Sequence, residues 1–321
     1  MFDIKPKTLY HIYRNHLSDY KPDIERGKWP AGKIPLCDKE TGEVLGEKAI
    51  YVAKAENLGK RMTLDDKQIG KDMFSIMTNR DTGKIALMIE SLKADELEMA
   101  ACLLGPGISQ IESISCDMSP SYLKFVESTF TGCKIVIDKF HVIKYVLDAL
   151  QGIRIQIKNQ LLESLPKGKR KTTGDNKILS ELELLKRSKY LLTQSESKWT
   201  DCQRELSAQL FEKFPQLKTA YQLCQEFKSW YSPENHRNHR LKNEQLLFEW
   251  YEKVESSGLK QFASIVKMIE KHEENIINYF QTIHTNAKAE NMNGKIQRFI
   301  TNNYGIKDKD FNLYRIANYF S

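Results

Sequence analysis

The chain has 321 residues, of which 40% are hydrophobic and 28% charged, and its formal net charge is +7. This is the composition of an ordinary globular protein, long enough for one large domain with an insertion or for two domains. No run approaches the roughly 18 apolar residues that a membrane span needs, and the first residues lack the apolar core of a signal peptide. We therefore expect a cytoplasmic protein with no membrane partner. The positive charge favours a polyanionic partner, and the alternative is a basic cytosolic protein without one.

The six cysteines are scattered singly along the chain and form no C-x-x-C pair. Isolated cysteines suit a reducing compartment and argue against a zinc ribbon.

Residues 1–58 are interrupted repeatedly by proline and glycine. A short helix is expected over residues 7–17, and the rest is expected to be irregular. The segment is too broken to bury a core of its own, so we interpret it as an N-terminal arm packed on the domain that begins at residue 59.

Residues 59–142 consist of short apolar runs separated by turn signals, of which Asn79–Gly83 is the strongest. The order of elements is βββαβαβ, with both hairpin and crossover connections. That order predicts an α/β fold built on a mixed sheet with helices on its faces. The predicted strands are residues 61–65, 72–78, 84–89, 111–116 and 134–137, and the predicted helices are residues 94–104 and 120–130.

Residues 143–283 show helical periodicity almost throughout and are predicted to form a separate helical domain. Its tryptophans, Trp199, Trp230 and Trp250, are expected in the core rather than at a cofactor. A basic loop with helix breakers interrupts the domain at Pro166–Lys171. Residues 284–321 are predicted to form a last pair of helices.

Three acidic residues stand where predicted elements end or begin. Asp65 and Asp117 follow strands, and Glu290 opens a helix. Ligand sites of open α/β sheets gather outside the carboxyl ends of the strands. If the first and fourth predicted strands are neighbours, Asp65 and Asp117 come within reach of one Mg²⁺ ion, and a pair of such ions can serve phosphodiester chemistry.

Each of these residues also has a purely structural interpretation. An aspartate after a strand is a common turn residue or helix cap, as at Asp117 before Pro120. A glutamate at a helix start, such as Glu290, is stabilised by the helix dipole. Asp66 competes with Asp65; we favour Asp65 because it directly follows the apolar run, although strand alternation allows either to point inward.

Four motifs occur in a fixed order along the chain. They are Asp65-Asp66, Ser115-Cys116-Asp117-Met118, Asp138-Lys139-Phe140-His141 and Asn286-Ala-Lys-Ala-Glu290-Asn-Met-Asn293. Together they resemble bacterial insertion-sequence transposases of the DDE class, in the ISL-type branch, from about residue 60 to 316.

The resemblance implies a ribonuclease-H-like catalytic core interrupted by an all-helical insertion, with residues 284–321 completing the core. It implies metal-dependent hydrolysis at transposon ends, after which the freed 3′-hydroxyl attacks target DNA. The implied cofactor is two Mg²⁺ or Mn²⁺ ions. The residues assigned to catalysis and metal binding are Asp65, Asp117 and Glu290, with Asp66, Asp138 and His141 in support.

DNA is the implied partner, and two transposon ends make a homodimer on DNA the expected assembly. The protein is then expected to be associated with the bacterial nucleoid. Phosphate contacts position DNA without reading its sequence, and basic and amide side chains supply them. The residues expected to make these contacts are Lys139, Lys167, Lys169, Arg170, Lys171, Asn286, Asn293, Lys295 and Arg298.

The chain departs from the family pattern in three ways. Asp66 stands where this branch usually has glutamate, and Lys139 stands where it has arginine, which keeps the charge but loses the two-pronged phosphate geometry. The usual N-terminal zinc ribbon and helix-turn-helix are missing from this sequence. We therefore expect a separate small DNA-binding protein to recognise the transposon ends.

Two other functions fit the same residues. One is a catalytically inactive DNA-binding protein derived from a transposase, which metal binding and strand cleavage would distinguish. The other is a cellular ribonuclease-H-like nuclease. The long helical insertion and the asparagine-rich segment around Glu290 favour transposition over it, through resemblance alone.

Overall fold

The computed structural model describes residues 5–38, 40–164, 176–282, 292–303 and 308–321. The chain divides into two compact units, one made of residues 1–136 and 284–321 and the other of residues 137–283. Some residues that the sequence assigned to the site lie outside the described ranges. They are Lys167, Lys169, Arg170, Lys171, Asn286 and Glu290.

A mixed sheet is the centre of the first unit. Within the described ranges it has seven strands in the order β1-β2-β5-β4-β3-β6-β7. Neighbouring strands are antiparallel from β1 to β3, whereas β3 and β6 are parallel. The strands are β1 (Gly32–Cys37), β2 (Val44–Ala53), β3 (Arg61–Ile69), β4 (Asp72–Asn79), β5 (Ile85–Ile89), β6 (Ser113–Cys116) and β7 (Lys134–Ile137).

Helices cover both faces of this sheet. On one face Ile296 and Leu313, from two C-terminal helices, pack against Phe74 and Ile76 of β4. On the other face Tyr122 reaches Ser75, whose side chain alternates with that of Ile76. The helices of this unit are α1 (Pro6–Ile12), α2 (Tyr20–Glu25), α3 (Ala94–Ala101), α4 (Pro120–Thr129), α12 (Met292–Asn302) and α13 (Lys309–Phe320).

The N-terminal segment is more ordered than its composition predicts. The helix expected over residues 7–17 appears as α1 followed by a π-helical turn at Tyr13–Leu17. The remainder was expected to be irregular, and this was wrong, because β1 and β2 form a hairpin that joins the sheet through β5. Pro35 is accommodated because β1 is the edge strand, where one side of the backbone needs no partner.

The second unit is helical, and its tryptophans belong to its core. The indole N–H of Trp230 donates to the Asn243 carbonyl at 3.0 Å, and that of Trp250 donates to the Leu223 carbonyl at 2.9 Å. Buried indoles require such acceptors. The helices are α5 (Lys139–Glu163), α6 (Asn176–Leu191), α7 (Asp201–Lys213), α8 (Pro215–Trp230), α9 (Arg240–Ser257), α10 (Lys260–Lys271) and α11 (Glu273–Gln281).

A mixed sheet with helices on both faces, interrupted in sequence by a helical unit, is the ribonuclease-H-like α/β fold that the sequence predicts. The helical periodicity near the end of the second unit continues through His272, but α10 and α11 are separate helices because the backbone of His272 leaves the helical region between them. None of the helices in the described ranges combines the length and apolar character needed to cross a bilayer.

Candidate active site

Asp65 lies in the middle of a strand rather than at its end. We expected the strand to end at or near Asp65, but β3 continues to Ile69. It continues because β4 pairs with it along its whole length, from Met62 opposite Asn79 to Ile69 opposite Asp72. On its other side β3 is paired with β6, which ends at Cys116. Asp65 therefore lies just beyond the last residues of β3 that are paired with β6.

The register of the two parallel strands sets Asp65 beside Asp117. Arg61 is paired with Ser113, and Thr63 with Ser115. Continuing this pairing by two residues brings Asp117, the first residue after β6, next to Asp65. The first and fourth strands predicted from the sequence are therefore neighbours, as the metal interpretation requires.

Asp65 and Asp66 point to opposite faces of the sheet, since successive side chains of a strand alternate. Asp65 is paired with Ile76, which packs against α12 and α13. Asp66 is paired with Ser75, which contacts α4. The register with β6 therefore favours Asp65 as the partner of Asp117.

Asn293 of α12 connects that helix to Asp65. Its side-chain Nδ2 donates to Asp65 Oδ2 at 2.6 Å and to the main-chain oxygen of Asp66 at 2.9 Å. The other oxygen of Asp65, Oδ1, accepts from the Asp66 main-chain N–H at 2.9 Å. Both oxygens of this half-buried carboxylate are thus held by N–H donors.

Asp117 shapes the connection from β6 to α4. Its Oδ1 accepts from the main-chain N–H of Ser119 at 2.8 Å, which forms a turn directly before Pro120, the first residue of α4. The turn-forming role expected for Asp117 is therefore present. It is compatible with a role in metal binding, because a carboxylate offers about four acceptor positions.

A buried hydroxyl network lies close to the carboxylates. Tyr122 is 2% exposed, and its hydroxyl lies 2.9 Å from Ser75 Oγ, which donates to the Ser91 carbonyl at 2.5 Å. Burial raises the pKa of Tyr122. The negative charges of three carboxylates, Asp66, Asp117 and Asp65, raise the pKa further. The pKa of this one buried phenol is therefore affected by all three carboxylates. The sequence interpretation did not include Tyr122 or Ser75, because both occur in apolar runs that predict only core.

Asp138, Lys139 and His141 belong to the second unit. Asp138 caps α5 by accepting from the Phe140 N–H at 3.0 Å, whereas its Oδ2 is 3.7 Å from His141 Nδ1, too far for a hydrogen bond. The Lys139 ammonium lies 5.5 Å from the centre of the Tyr279 ring. These contacts stabilise the start of α5.

The remaining described candidates lie on α12. Arg298 is exposed, and the Lys295 ammonium is close to Gly83 in the turn between β4 and β5, 3.7 Å from where a Cβ atom would stand. Among the described residues no group of three acidic, histidine or cysteine side chains is placed to hold a metal ion. The third carboxylate of the predicted site, Glu290, lies outside those residues.

Asp65 within β3 and Asp117 directly after the parallel strand β6 form a carboxylate pair that could hold a divalent metal ion of the kind that serves phosphodiester chemistry. Residues 62–317 match a family of transposases, the DDE transposases of the ISL3 type, and the chain belongs to that family. The resemblance seen in the sequence motifs is thereby confirmed, and DNA is the substrate that such membership implies. Comparison with curated proteins and with solved structures gives no match.

Proposed function

We propose that this transposase is catalytically active, and that Asp65, Asp117 and Glu290 hold the metal ions for strand cleavage and strand transfer. The observation that carries the proposal is the β3–β6 register, in which Thr63 is paired with Ser115; continued by two residues, it sets Asp117 opposite Asp65.

The donor set fits Mg²⁺ or Mn²⁺. Both are hard ions that take oxygen ligands, and Mg²⁺ binds through one or two carboxylates with water and phosphate completing its shell. Two negative charges on adjacent strands repel each other, and this repulsion favours binding of a divalent cation. Two bound ions would activate the attacking oxygen and stabilise the leaving oxygen.

The assignment of Glu290 rests on its position in the sequence. It lies three residues before Asn293, whose side chain contacts Asp65. This short spacing in the sequence is the reason for including Glu290 in the proposed site.

The proposed reaction has two steps. In the first, a water oxygen attacks the phosphorus at the transposon end, the bond from phosphorus to the 3′-oxygen breaks, and the end gains a free 3′-hydroxyl. In the second, that hydroxyl oxygen attacks a phosphorus of the target strand, forms the new phosphodiester and displaces a target 3′-hydroxyl. The three carboxylates orient the reacting groups, and in each step the attacking oxygen loses one proton and the displaced 3′-oxygen gains one.

DNA binding and assembly are part of the same proposal. The basic loop and α12 supply phosphate contacts, and a homodimer holds two transposon ends. The affinity for DNA falls as the salt concentration rises, and each cation that contacts a phosphate makes the slope of log affinity against log salt steeper by about 0.9. Replacing Lys167, Lys169, Arg170 and Lys171 with alanine should therefore make this slope less steep. An unchanged slope removes the loop from the interface.

The test is cleavage of a labelled DNA that carries the element's end, with Mg²⁺ or Mn²⁺, by the wild type and by Asp117→Asn and Glu290→Gln. We expect cleavage by the wild type and none by either variant, with folding and DNA binding retained. Equal activity in all three rejects the site. If all three proteins bind DNA but none cleaves it, even when fractions from the host are added, the protein is an inactive DNA-binding descendant of a transposase.

A further inference from the structure

The amide of Asn293 makes two hydrogen bonds with β3, and they have different consequences. The bond to Asp65 Oδ2 acts on a side chain, whereas the bond to the Asp66 oxygen acts on the main chain of the strand. The first fixes the rotation of the Asp65 carboxylate. The bond to the Asp66 oxygen fixes the position of Asn293 along the axis of β3, so its bond to Asp65 cannot shift along the strand.

The Asp65 carboxylate is restrained at both oxygens. Oδ2 accepts from Asn293, and Oδ1 accepts from the Asp66 N–H within the same strand. Hydrogen bonds to an ionised carboxylate are shorter and roughly twice as strong as neutral ones. Two of them, one to each oxygen, restrain the orientation of the carboxyl group before any ligand binds.

The rest of α12 makes this arrangement rigid. Ile296 is fully buried in the core shared with Ile76, and Gln297 accepts from the Lys67 ammonium at 3.0 Å. Positions 293, 296 and 297 share one face of the helix, since residues three and four apart are neighbours. The face of α12 that packs on β3 therefore carries Asn293 at a fixed place above Asp65.

The same geometry argues against the role that the sequence suggested for Asn293. A phosphate oxygen can only accept hydrogen bonds, and the amide of asparagine has two hydrogens to donate, both on Nδ2. Nδ2 already donates to two protein oxygens, Asp65 Oδ2 and the main-chain oxygen of Asp66, which accounts for both hydrogens. A phosphate could gain a bond from Nδ2 only if Asp65 or Asp66 lost one.

We propose that Asn293 is a positioning residue for Asp65 and not a DNA contact. This inference rests on the proposed function, in which Asp65 is a metal ligand. Carboxylates that bind metals are themselves oriented by hydrogen bonds, and loss of such an orienting partner lowers metal affinity or activity about 10- to 100-fold.

The test compares Asn293→Ala with Gln297→Ala, a matched control on the same face of α12. Gln297→Ala also removes a side-chain bond between α12 and β3, but that bond does not involve a carboxylate. For each variant we would measure the Mn²⁺ concentration that gives half-maximal cleavage, and the affinity for end DNA in the presence of a chelator. Asn293→Ser serves in place of the alanine variant if circular dichroism shows that the latter is unfolded.

We expect Asn293→Ala to raise the half-maximal Mn²⁺ concentration about 10- to 100-fold and to leave metal-free DNA affinity unchanged. Gln297→Ala should change neither. Weaker DNA binding by Asn293→Ala with an unchanged Mn²⁺ requirement overturns the inference and makes Asn293 a DNA contact.

A second readout is independent of activity. In a double-mutant cycle, the effects of Asn293→Ala and Asp65→Ala on urea unfolding should not add, because each removes the same contact. Additive effects contradict the contact itself. Absence of metal-dependent cleavage by the wild type removes the proposed function, whereas a wild-type enzyme that cleaves and an Asn293→Ala variant with the same Mn²⁺ requirement remove only this inference.

Discussion

The buried hydroxyl of Tyr122 allows a sharp prediction of stability. Ser75 Oγ donates its one hydrogen to the Ser91 carbonyl, so the hydroxyl of Tyr122 must be the donor in its 2.9 Å contact with Ser75. Tyr122→Phe removes this donor and leaves the Ser75–Ser91 bond in place. The net contribution of such a bond is about 1 kcal/mol, so the free energy of unfolding should fall by about that amount at pH 7.

Ser75→Ala should lower the free energy of unfolding more than Tyr122→Phe does. It leaves the buried Tyr122 hydroxyl without its acceptor, and an unsatisfied buried donor costs roughly 1–3 kcal/mol. The double variant should cost less than the sum, because phenylalanine at position 122 has no hydroxyl to satisfy. Urea unfolding of the four proteins measures all three values.

The pH dependence gives the same prediction an internal check. Burial raises the pKa of Tyr122 above its ordinary value of 10.0. Above pH 10 the unfolded chain therefore loses this proton while the folded chain keeps it, so the stability that Tyr122 contributes falls by about 1.4 kcal/mol per pH unit. Phenylalanine has no such loss. The difference in the free energy of unfolding between the wild type and Tyr122→Phe should therefore shrink above pH 10 and vanish at about pH 11. A difference that is constant or grows with pH refutes the reasoning.

Three further predictions concern other parts of the chain. Burial raises the pKa of Glu96, but hydrogen bonds from Lys48, Ser91 and Lys93 outweigh this and lower it from 4.5 to about 2. Glu96 should therefore contribute roughly 3 kcal/mol of stability above pH 4.5 that is lost as the pH falls towards 2, and a Glu96→Gln variant whose acid unfolding matches the wild type would contradict this. Asp308 caps α13 through the Phe311 N–H and accepts from Arg14, so Asp308→Ala should lower the melting temperature through a loss of about 1–2 kcal/mol; an unchanged melting temperature would show that neither bond matters. The exposed thiols, Cys37, Cys102 and Cys202, should react with a thiol reagent in the native protein, whereas Cys116 and Cys224 are buried and should react only after unfolding; mass spectrometry of the labelled peptides distinguishes the two groups.

Local patterns predicted the part of the fold that positions the aspartates. Alternating apolar runs and strong turns identified β3 to β7, and β7 was predicted with the bounds that the structure has, Lys134–Ile137. The hairpin of β1 and β2 was missed because proline and glycine interrupt its sequence, and its strands are paired with each other and with β5. Tertiary pairing overrides local propensity in such segments.

The outline of the proposed site could be derived from the sequence, but its contacts could not. The residue types and strand positions indicated Asp65 and Asp117, but the choice between Asp65 and Asp66 needed the register with β6. The bond from Asn293 to Asp65 joins residues 228 positions apart, and that between Tyr122 and Ser75 joins residues 47 apart. No local pattern reports such contacts, because they depend on how the helices pack on the sheet.

The most direct test of the proposed site compares Asp65→Asn with Asp66→Asn. The two substitutions remove the same charge from adjacent residues on opposite faces of β3, so any effect of charge or of strand stability alone is shared. Single-turnover cleavage of a labelled transposon end in Mn²⁺ measures both. The account predicts that Asp65→Asn abolishes cleavage while Asp66→Asn retains it. Cleavage by Asp65→Asn at the wild-type rate, or loss in Asp66→Asn alone, would contradict it.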